Sequence, residues 1–196
     1  MSGSLTQLPP AEKYREIAAG FTAAVAGVTD WDAPTPVAEW CARDVVGHLV
    51  TWLPEMIQGG SDVRFAEGPT ADEDPVGAWA HLDGQLRALF ADPESGRHLH
   101  SNPHTGSDRP VPEVIDQFFT GDVFFHTWDL ARSSGQDDRL DPGMVHDAYT
   151  GMSAAEEHLR PTGQFGQQQP VPADATEQER LFAFLGRDPR WTPPGA

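Results

Sequence analysis

Residues 112–135, PEVIDQFFTGDVFFHTWDLARSSG, carry the signals of a helix at both ends and along their length. A proline suits the first helical turn, acidic residues follow it, and Gly135 after Arg132 is typical of a helix C-terminus. Between these ends the apolar residues recur with helical spacing: Val114, Ile115, Phe118, Phe119, Val123, Phe125 and Leu130. We therefore expect a long amphipathic helix with one buried face.

Polar residues fall on the same face of this predicted helix. Phe119, Asp122, His126 and Asp129 follow one another at spacings of three or four, so they share one stripe. A carboxylate and an imidazole that point inward must be paired, solvated or bound to a metal. The spacing of Asp122 and His126 fits a metal site, but it also fits a plain hydrogen bond on the helix surface.

Helical periodicity also predicts helices over residues 11–28, 42–58, 75–90, 142–159 and 176–185. Pro54 lies inside the second of these helices, where we expect a kink or an early stop. Thr176 and Glu179 form a capping-box pattern at the last one. The aromatic residues of the second and fourth helices are expected in the core: Trp52, Phe118, Phe119, Phe125 and Trp128.

No stretch alternates apolar and polar residues as a half-buried strand would, and residues 59–75 and 92–110 are interpreted as long loops. The predicted fold is therefore all-α, an antiparallel four-helix bundle with a short C-terminal helical appendage. We assign residues 1–160 to the bundle and residues 161–196 to a loop and a short helix that packs on it.

Composition limits the class of partner. The 196-residue chain has a formal net charge of −17, which argues against nucleic acid and against anionic membrane surfaces. Cys41 is the single cysteine, so no intrachain disulfide and no thiolate metal cluster can form. The N-terminal residues lack the pattern of a signal peptide, and no segment has the length of a membrane span. We expect a cytoplasmic protein that acts on a small molecule.

His48 provides a third candidate ligand. It lies one turn before Trp52, beside the apolar face of the second predicted helix. With Asp122 and His126 it would form a set of two imidazoles and one carboxylate from facing helices. Such a set leaves coordination positions open, as in catalytic zinc or nickel sites.

Two other features stay open at this stage. His98, His100 and His104 form a rival set in a loop, where Gly, Ser, Asn and Pro residues offer little rigid support, although they could flank the mouth of a site. Asp129 either accepts a hydrogen bond that orients a metal ligand or pairs with Arg132 or another basic residue.

Three blocks of the sequence carry a resemblance to a known superfamily: residues 40–50 (WCARDVVGHLV), 121–132 (GDVFFHTWDLAR) and 180–189 (RLFAFLGRDP). They resemble actinobacterial metal-binding proteins of the DinB/YfiT-like superfamily. The similarity is greatest to the branch related to the N-terminal domain of mycothiol-dependent maleylpyruvate isomerase, and it runs over nearly the whole chain.

The resemblance implies a four-helix bundle that binds a divalent metal through His48, Asp122 and His126. Many members of that superfamily have Glu or His where this chain has Asp122, which is a shorter oxygen ligand. Only a short tail follows the predicted bundle in this sequence, so we expect neither the additional C-terminal domain of the isomerase nor its isomerase activity. A homodimer is a further expectation from the resemblance.

Two functions of different classes are consistent with this sequence. The first is a zinc- or nickel-dependent enzyme that activates a low-molecular-weight thiol such as mycothiol, as co-substrate, for transfer to or isomerisation of a small electrophile. A metal-dependent hydrolase would use the same site. The second is a non-catalytic metal- or ligand-binding stress protein.

Overall fold

The computed structural model describes residues 5–102 and 107–193, and it is mostly helical, as predicted. Its α-helices, in chain order, are α1 (Pro10–Ala26), α2 (Ala42–Gly60), α3 (Pro75–Ala91), α4 (Val111–Val114), α5 (Gly121–Ser133), α6 (Pro142–Ala154), α7 (Glu156–Leu159) and α8 (Glu177–Phe184). A π-helical segment, Ile115–Thr120, joins α4 to α5 without a break.

Local signals explain where the first three helices begin. Pro10 occupies the first turn of α1, where a missing N–H costs nothing. Asp44 caps α2 by accepting a hydrogen bond from the backbone N–H of Cys41, at 2.8 Å. Asp74 caps α3 by accepting one from the N–H of Gly77, at 2.9 Å. Each helix then buries an apolar stripe in a common core.

Helix α2 continues past Pro54 to Gly60, so the early stop that we considered does not occur. A proline inside a helix costs about 3 kcal/mol. Leu53 and Ile57, on either side of Pro54, are both fully buried. Burying two such side chains contributes about 1.5–3 kcal/mol each, which offsets the cost of the proline.

The expectation of a chain without strands is wrong for residues 92–110. Strands β1 (Leu99–Asn102) and β2 (Ser107–Pro110) pair antiparallel, with Leu99 opposite Pro110. The sequence of this small sheet does not alternate apolar and polar residues. The sheet is held together by backbone pairing between β1 and β2 and by the packing of β1 against α2.

The π-helical segment changes the face that the organising helix buries. Phe119 is fully buried, but Phe118 is 45% exposed, contrary to the prediction that both lie in the core. A π-helical turn contains more residues than an α-helical turn, so the two flanking α-segments do not continue one 3.6-residue stripe. The helix ends as predicted, with Gly135 in the left-handed conformation at φ +67°.

The C-terminal part of the chain packs on the rest through α8. The predicted helix over residues 142–159 is divided at Ala155 into α6 and α7. Thr176 and Glu179 form the predicted capping box at the start of α8. The ring of Phe182 stacks on that of Trp128 in α5, with centroids 3.9 Å apart. The division of the chain at residue 160 stays a prediction.

The helices that carry the candidate ligands are in direct contact. Helix α2 packs against α3 and α5, and α1 packs against the same two helices. One face of α2 therefore lies against α5, the helix that carries Asp122 and His126.

Among the described residues, no helix is both long enough and apolar enough to cross a membrane.

Candidate metal centre

The structure brings the three predicted ligand residues together. His48 lies in the middle of α2, and Asp122 and His126 lie one turn apart on α5. Each residue offers one potential ligand atom, and these atoms all lie within 4.8 Å of one another. His48 Nε2 is 3.0 Å from Asp122 Oδ2, and His126 Nε2 is 3.5 Å from Asp122 Oδ1.

These separations suit ligands of one small cation. Two atoms that each lie about 2.1 Å from an ion are about 3.0 Å apart at a right angle and about 3.4 Å apart at a tetrahedral angle. The 3.0 and 3.5 Å separations, which involve the two different oxygens of Asp122, fall close to these values, whereas the 4.8 Å bound on the whole set exceeds the roughly 4.2 Å that two such ligands can span. A divalent ion could therefore lie among the three groups with small movements of their side chains.

Asp122 is held by more than its two histidine neighbours. The indole N–H of Trp52, one turn after His48 on α2, donates a hydrogen bond to Asp122 Oδ2 at 3.0 Å. Burial alone would raise the pKa of Asp122, but the electrostatic attraction to His126 and the hydrogen bond with His48 outweigh it and lower the pKa. Asp122 is therefore the anionic carboxylate that a cation needs.

His126 is oriented from behind by Asp129, which answers the question left open by the sequence. Its Nδ1 donates to Asp129 Oδ2 at 2.9 Å, and Arg187, rather than Arg132, supplies the positive charge that pairs with Asp129. Burial would raise the pKa of Asp129, but Arg187 and the hydrogen bond from His126 outweigh it and lower the pKa. Because a carboxylate only accepts, Nδ1 of His126 carries a proton, and Nε2 is the ring nitrogen that faces Asp122.

One side of the cluster is open. The side chain of His126 is only 4% exposed, whereas those of His48 and Asp122 are 32% and 25% exposed. Trp40 lies just before α2, and its ring stacks against His126 with centroids 5.6 Å apart. A small molecule could therefore approach from the side of His48 and Asp122, next to the ring of Trp40.

Sequence reasoning missed three contributors to this site: Trp40, Trp52 and Arg187. Trp52 was expected in the core, and it is only partly buried there, with its N–H on Asp122. Arg187 is far from Asp129 in the chain, and spacing gives no signal for that contact. The one available signal was that Trp40 and Arg187 lie in the sequence blocks 40–50 and 180–189, which carry the resemblance.

The two rival histidines within the described residues, His98 and His100, do not join the cluster. His98 pairs with Asp62 at 2.8 Å, and the ring of His100 donates to the backbone oxygen of Met56 at 3.1 Å. Met56 lies eight residues after His48 on α2, which is about 12 Å along the helix axis. His104 lies outside the described residues.

The fold and the site define a mostly helical protein with a two-histidine, one-carboxylate cluster between α2 and α5. The chain is 31% identical over 168 residues to the uncharacterized protein Rv0738 of Mycobacterium tuberculosis strain H37Rv. The aligned region covers 80% of this chain and 85% of that protein. The uncharacterized protein MT0763 of strain CDC 1551 gives the same figures. The chain belongs to the family of these mycobacterial proteins. No family model matches it, and no solved structure matches it significantly.

Proposed function

We propose that this protein binds one divalent cation, Zn²⁺ or Ni²⁺, through His48, Asp122 and His126. The observation that carries the proposal is the convergence of three ligand atoms to within 4.8 Å from two packed helices. The hydrogen bond between His126 and Asp129 supports it, because histidines that bind metals usually donate their second N–H to such an acceptor. Two imidazoles and one carboxylate suit both metals.

The proposed architecture is a DinB-type antiparallel four-helix bundle. The contacts of α2 with α3 and α5, and of α1 with the same two helices, support it, because four mutually packed helices are what such a bundle requires. The position of the ligands on facing helices supports it further. This part of the proposal rests on the sequence resemblance as well as on these contacts.

The proposed reaction is the transfer of a low-molecular-weight thiol such as mycothiol to a small electrophile, or a thiol-assisted isomerisation. When bound, the cation would lower the pKa of a thiol that shares its open coordination position. The chain's own thiol is not suited to this role. Cys41 donates to Asp44 at 3.0 Å, and burial, together with this hydrogen bond, raises the pKa of its thiol. An added thiol is therefore needed.

Metal binding is tested by titrating the metal-free protein with Zn²⁺ in a calorimeter. We expect one ion per chain for the wild type and no stoichiometric binding for His126→Ala. His98→Ala is the matched control, because it also removes one imidazole but leaves the cluster intact. Equal binding by His126→Ala and the wild type would contradict the proposed site.

The thiol reaction is tested on the cobalt-substituted protein. We expect mycothiol to add a sulfur-to-metal charge-transfer absorption band, and conjugation of a generic electrophile to depend on both metal and thiol. Metal binding without either effect would favour the non-catalytic metal-binding protein. Metal-dependent ester cleavage without thiol would favour a hydrolase, with water in the place of the thiol.

A further inference from the structure

Arg187 and Asp129 form a buried ion pair directly behind the candidate metal ligand His126. Arg187 donates through Nη2 to Asp129 Oδ2 at 2.9 Å and through Nε to Asp129 Oδ1 at 3.3 Å. The side chain of Asp129 is fully buried, and that of Arg187 is 12% exposed. Since a buried ion pair often adds little net stability, this pair calls for another explanation.

We infer that the Arg187–Asp129 ion pair positions His126 for metal binding and couples the docking of the segment after α8 to the metal centre. This inference rests on the proposed metal-binding function. Arg187 engages both oxygens of Asp129, so the carboxylate cannot rotate. The fixed carboxylate holds Nδ1–H of His126, and Nε2 of the same ring then points toward Asp122.

Arg187 reaches this place because of the turn that follows α8. Gly186 has φ +93°, and a Cβ at this residue would lie 2.5 Å from the backbone of Gly166. The N–H of Arg187 donates to the carbonyl of Phe182 at 2.9 Å, which closes the turn. Only glycine at residue 186 allows both the conformation and the close approach.

The residues after Arg187 are also held by α5. Arg132, one turn after Asp129, donates to the backbone oxygens of Pro189 at 3.1 Å and Trp191 at 3.3 Å. The helix that carries Asp122 and His126 therefore binds residues 187–191 through two of its side chains. If this docking favours metal binding, then metal binding must favour the docking by the same factor, because linkage is reciprocal.

The first test compares zinc affinity among variants of the full chain. We expect Arg187→Met to bind Zn²⁺ about 10–100-fold more weakly than the wild type, as is usual when a group behind a metal-ligating histidine is lost. Arg187→Lys should recover part of the loss, since it restores the charge but not the two parallel hydrogen bonds. Arg190→Met is the matched control, because Arg190 is exposed in the same segment, and its affinity should stay within about twofold.

The second test separates positioning from folding. The double variant Asp129→Asn/Arg187→Met removes both charges, so no unpaired charge remains in the interior. We expect it to fold, as judged by far-UV circular dichroism, and still to bind Zn²⁺ about 10–100-fold more weakly. Wild-type affinity in this folded variant would overturn the inference.

The third test needs no metal, so it distinguishes a failure of the inference from a failure of the proposed function. In ¹⁵N NMR spectra of the metal-free wild type, recorded at a pH at which the imidazole ring is neutral, we expect His126 to carry its proton on Nδ1. The double variant should show both tautomers, because an amide can donate as well as accept. A single unchanged tautomer would overturn the inference, whatever the wild type does with zinc.

The fourth test addresses the coupling. Zn²⁺ should slow the hydrogen exchange of backbone amides in residues 185–191 of the wild type. In Arg187→Met the same addition should leave their exchange unchanged. Equal slowing in both proteins would contradict the coupling through Arg187.

Discussion

At the scale of single residues, the two oxygens of Asp122 have different surroundings. Oδ2 accepts the indole N–H of Trp52 and lies 3.0 Å from His48 Nε2. Oδ1 lies 3.5 Å from His126 Nε2. The N–H of Trp52 thus fixes the rotation of the carboxylate, which leaves Oδ1 directed at the space beside His126.

We predict that Trp52→Phe weakens zinc binding, because it keeps the ring but removes the N–H that orients Asp122. The loss of affinity should be about tenfold or more, as for other groups that orient metal ligands. Isothermal titration with Zn²⁺ measures it.

Trp79→Phe serves as its control. The N–H of Trp79 donates to Thr22 at 2.8 Å, within the contact between α1 and α3. That variant should lower the free energy of unfolding but leave the zinc affinity within about twofold. Unchanged affinity in Trp52→Phe would show that Asp122 is oriented without the indole.

At the scale of elements, the π-helical segment decides which aromatic side chains enter the core. Ile115 and Phe119 are fully buried, and Phe118 between them is exposed. The ring of Phe119 contacts that of Trp52, with centroids 5.7 Å apart, and Trp52 in turn donates its N–H to Asp122. Short π-helical turns are frequent at functional sites, where they adjust the position of side chains within a helix.

Two neighbouring substitutions test this arrangement. Phe119→Ala should lower the free energy of unfolding by about 3–5 kcal/mol, as expected for a buried phenylalanine. Phe118→Ala should lower it by about 1 kcal/mol or less, because its ring is largely outside the core. Urea denaturation measures both. Similar large losses for the two variants would indicate a regular α-helix with both rings inside.

At the scale of the whole molecule, the candidate site joins parts of the chain that are distant in sequence. His48 belongs to α2, Asp122 and His126 belong to α5, and Arg187 follows α8. A ligand that binds only when these elements are docked must stabilise the whole fold. Asp122 and Asp129 each bind a residue of another element, His48 and Arg187 respectively. Protonation of these carboxylates should therefore lower the stability of the fold.

We predict that Zn²⁺ raises the melting temperature of the wild type. At a free concentration of 100 times the dissociation constant, binding contributes about 2.7 kcal/mol. For a protein of this size, that corresponds to a rise of about 5–10 °C. Differential scanning calorimetry with and without Zn²⁺ measures it. His126→Ala should show no rise, and a rise equal to that of the wild type would place the bound ion elsewhere.

We also predict a loss of stability in acid for the metal-free protein. The pKa of Asp129 is lower in the folded state than its ordinary value of 3.8. Its contribution to stability is therefore complete above that ordinary value and is lost as the pH falls through the lower folded-state pKa. Urea denaturation between pH 7 and pH 3 should show a steeper loss in the wild type than in Asp129→Asn/Arg187→Met. Parallel curves would contradict this role of Asp129.

Interactions between near neighbours in the chain were predictable from the sequence alone. The capping box of Thr176 and Glu179 and the stop at Gly135 each depend on a few residues. The shared helix face of Asp122 and His126 follows from their spacing of four. These features need only local hydrogen bonds and helical geometry, which the order of side chains determines.

Tertiary structure alone decided which groups meet across the molecule. His48 and Asp122 are 74 residues apart, and Asp129 and Arg187 are 58 apart. No spacing rule could choose Arg187 over the nearer Arg132 as the partner of Asp129, because the turn at Gly186 and the packing of α8 place it there. The exposure of Phe118 likewise depends on how the π-helical segment packs. Local order thus determined most of the helices and the pairing of Asp122 with His126 on one helix face, whereas burial of distant faces against one another brought His48 and Arg187 to them.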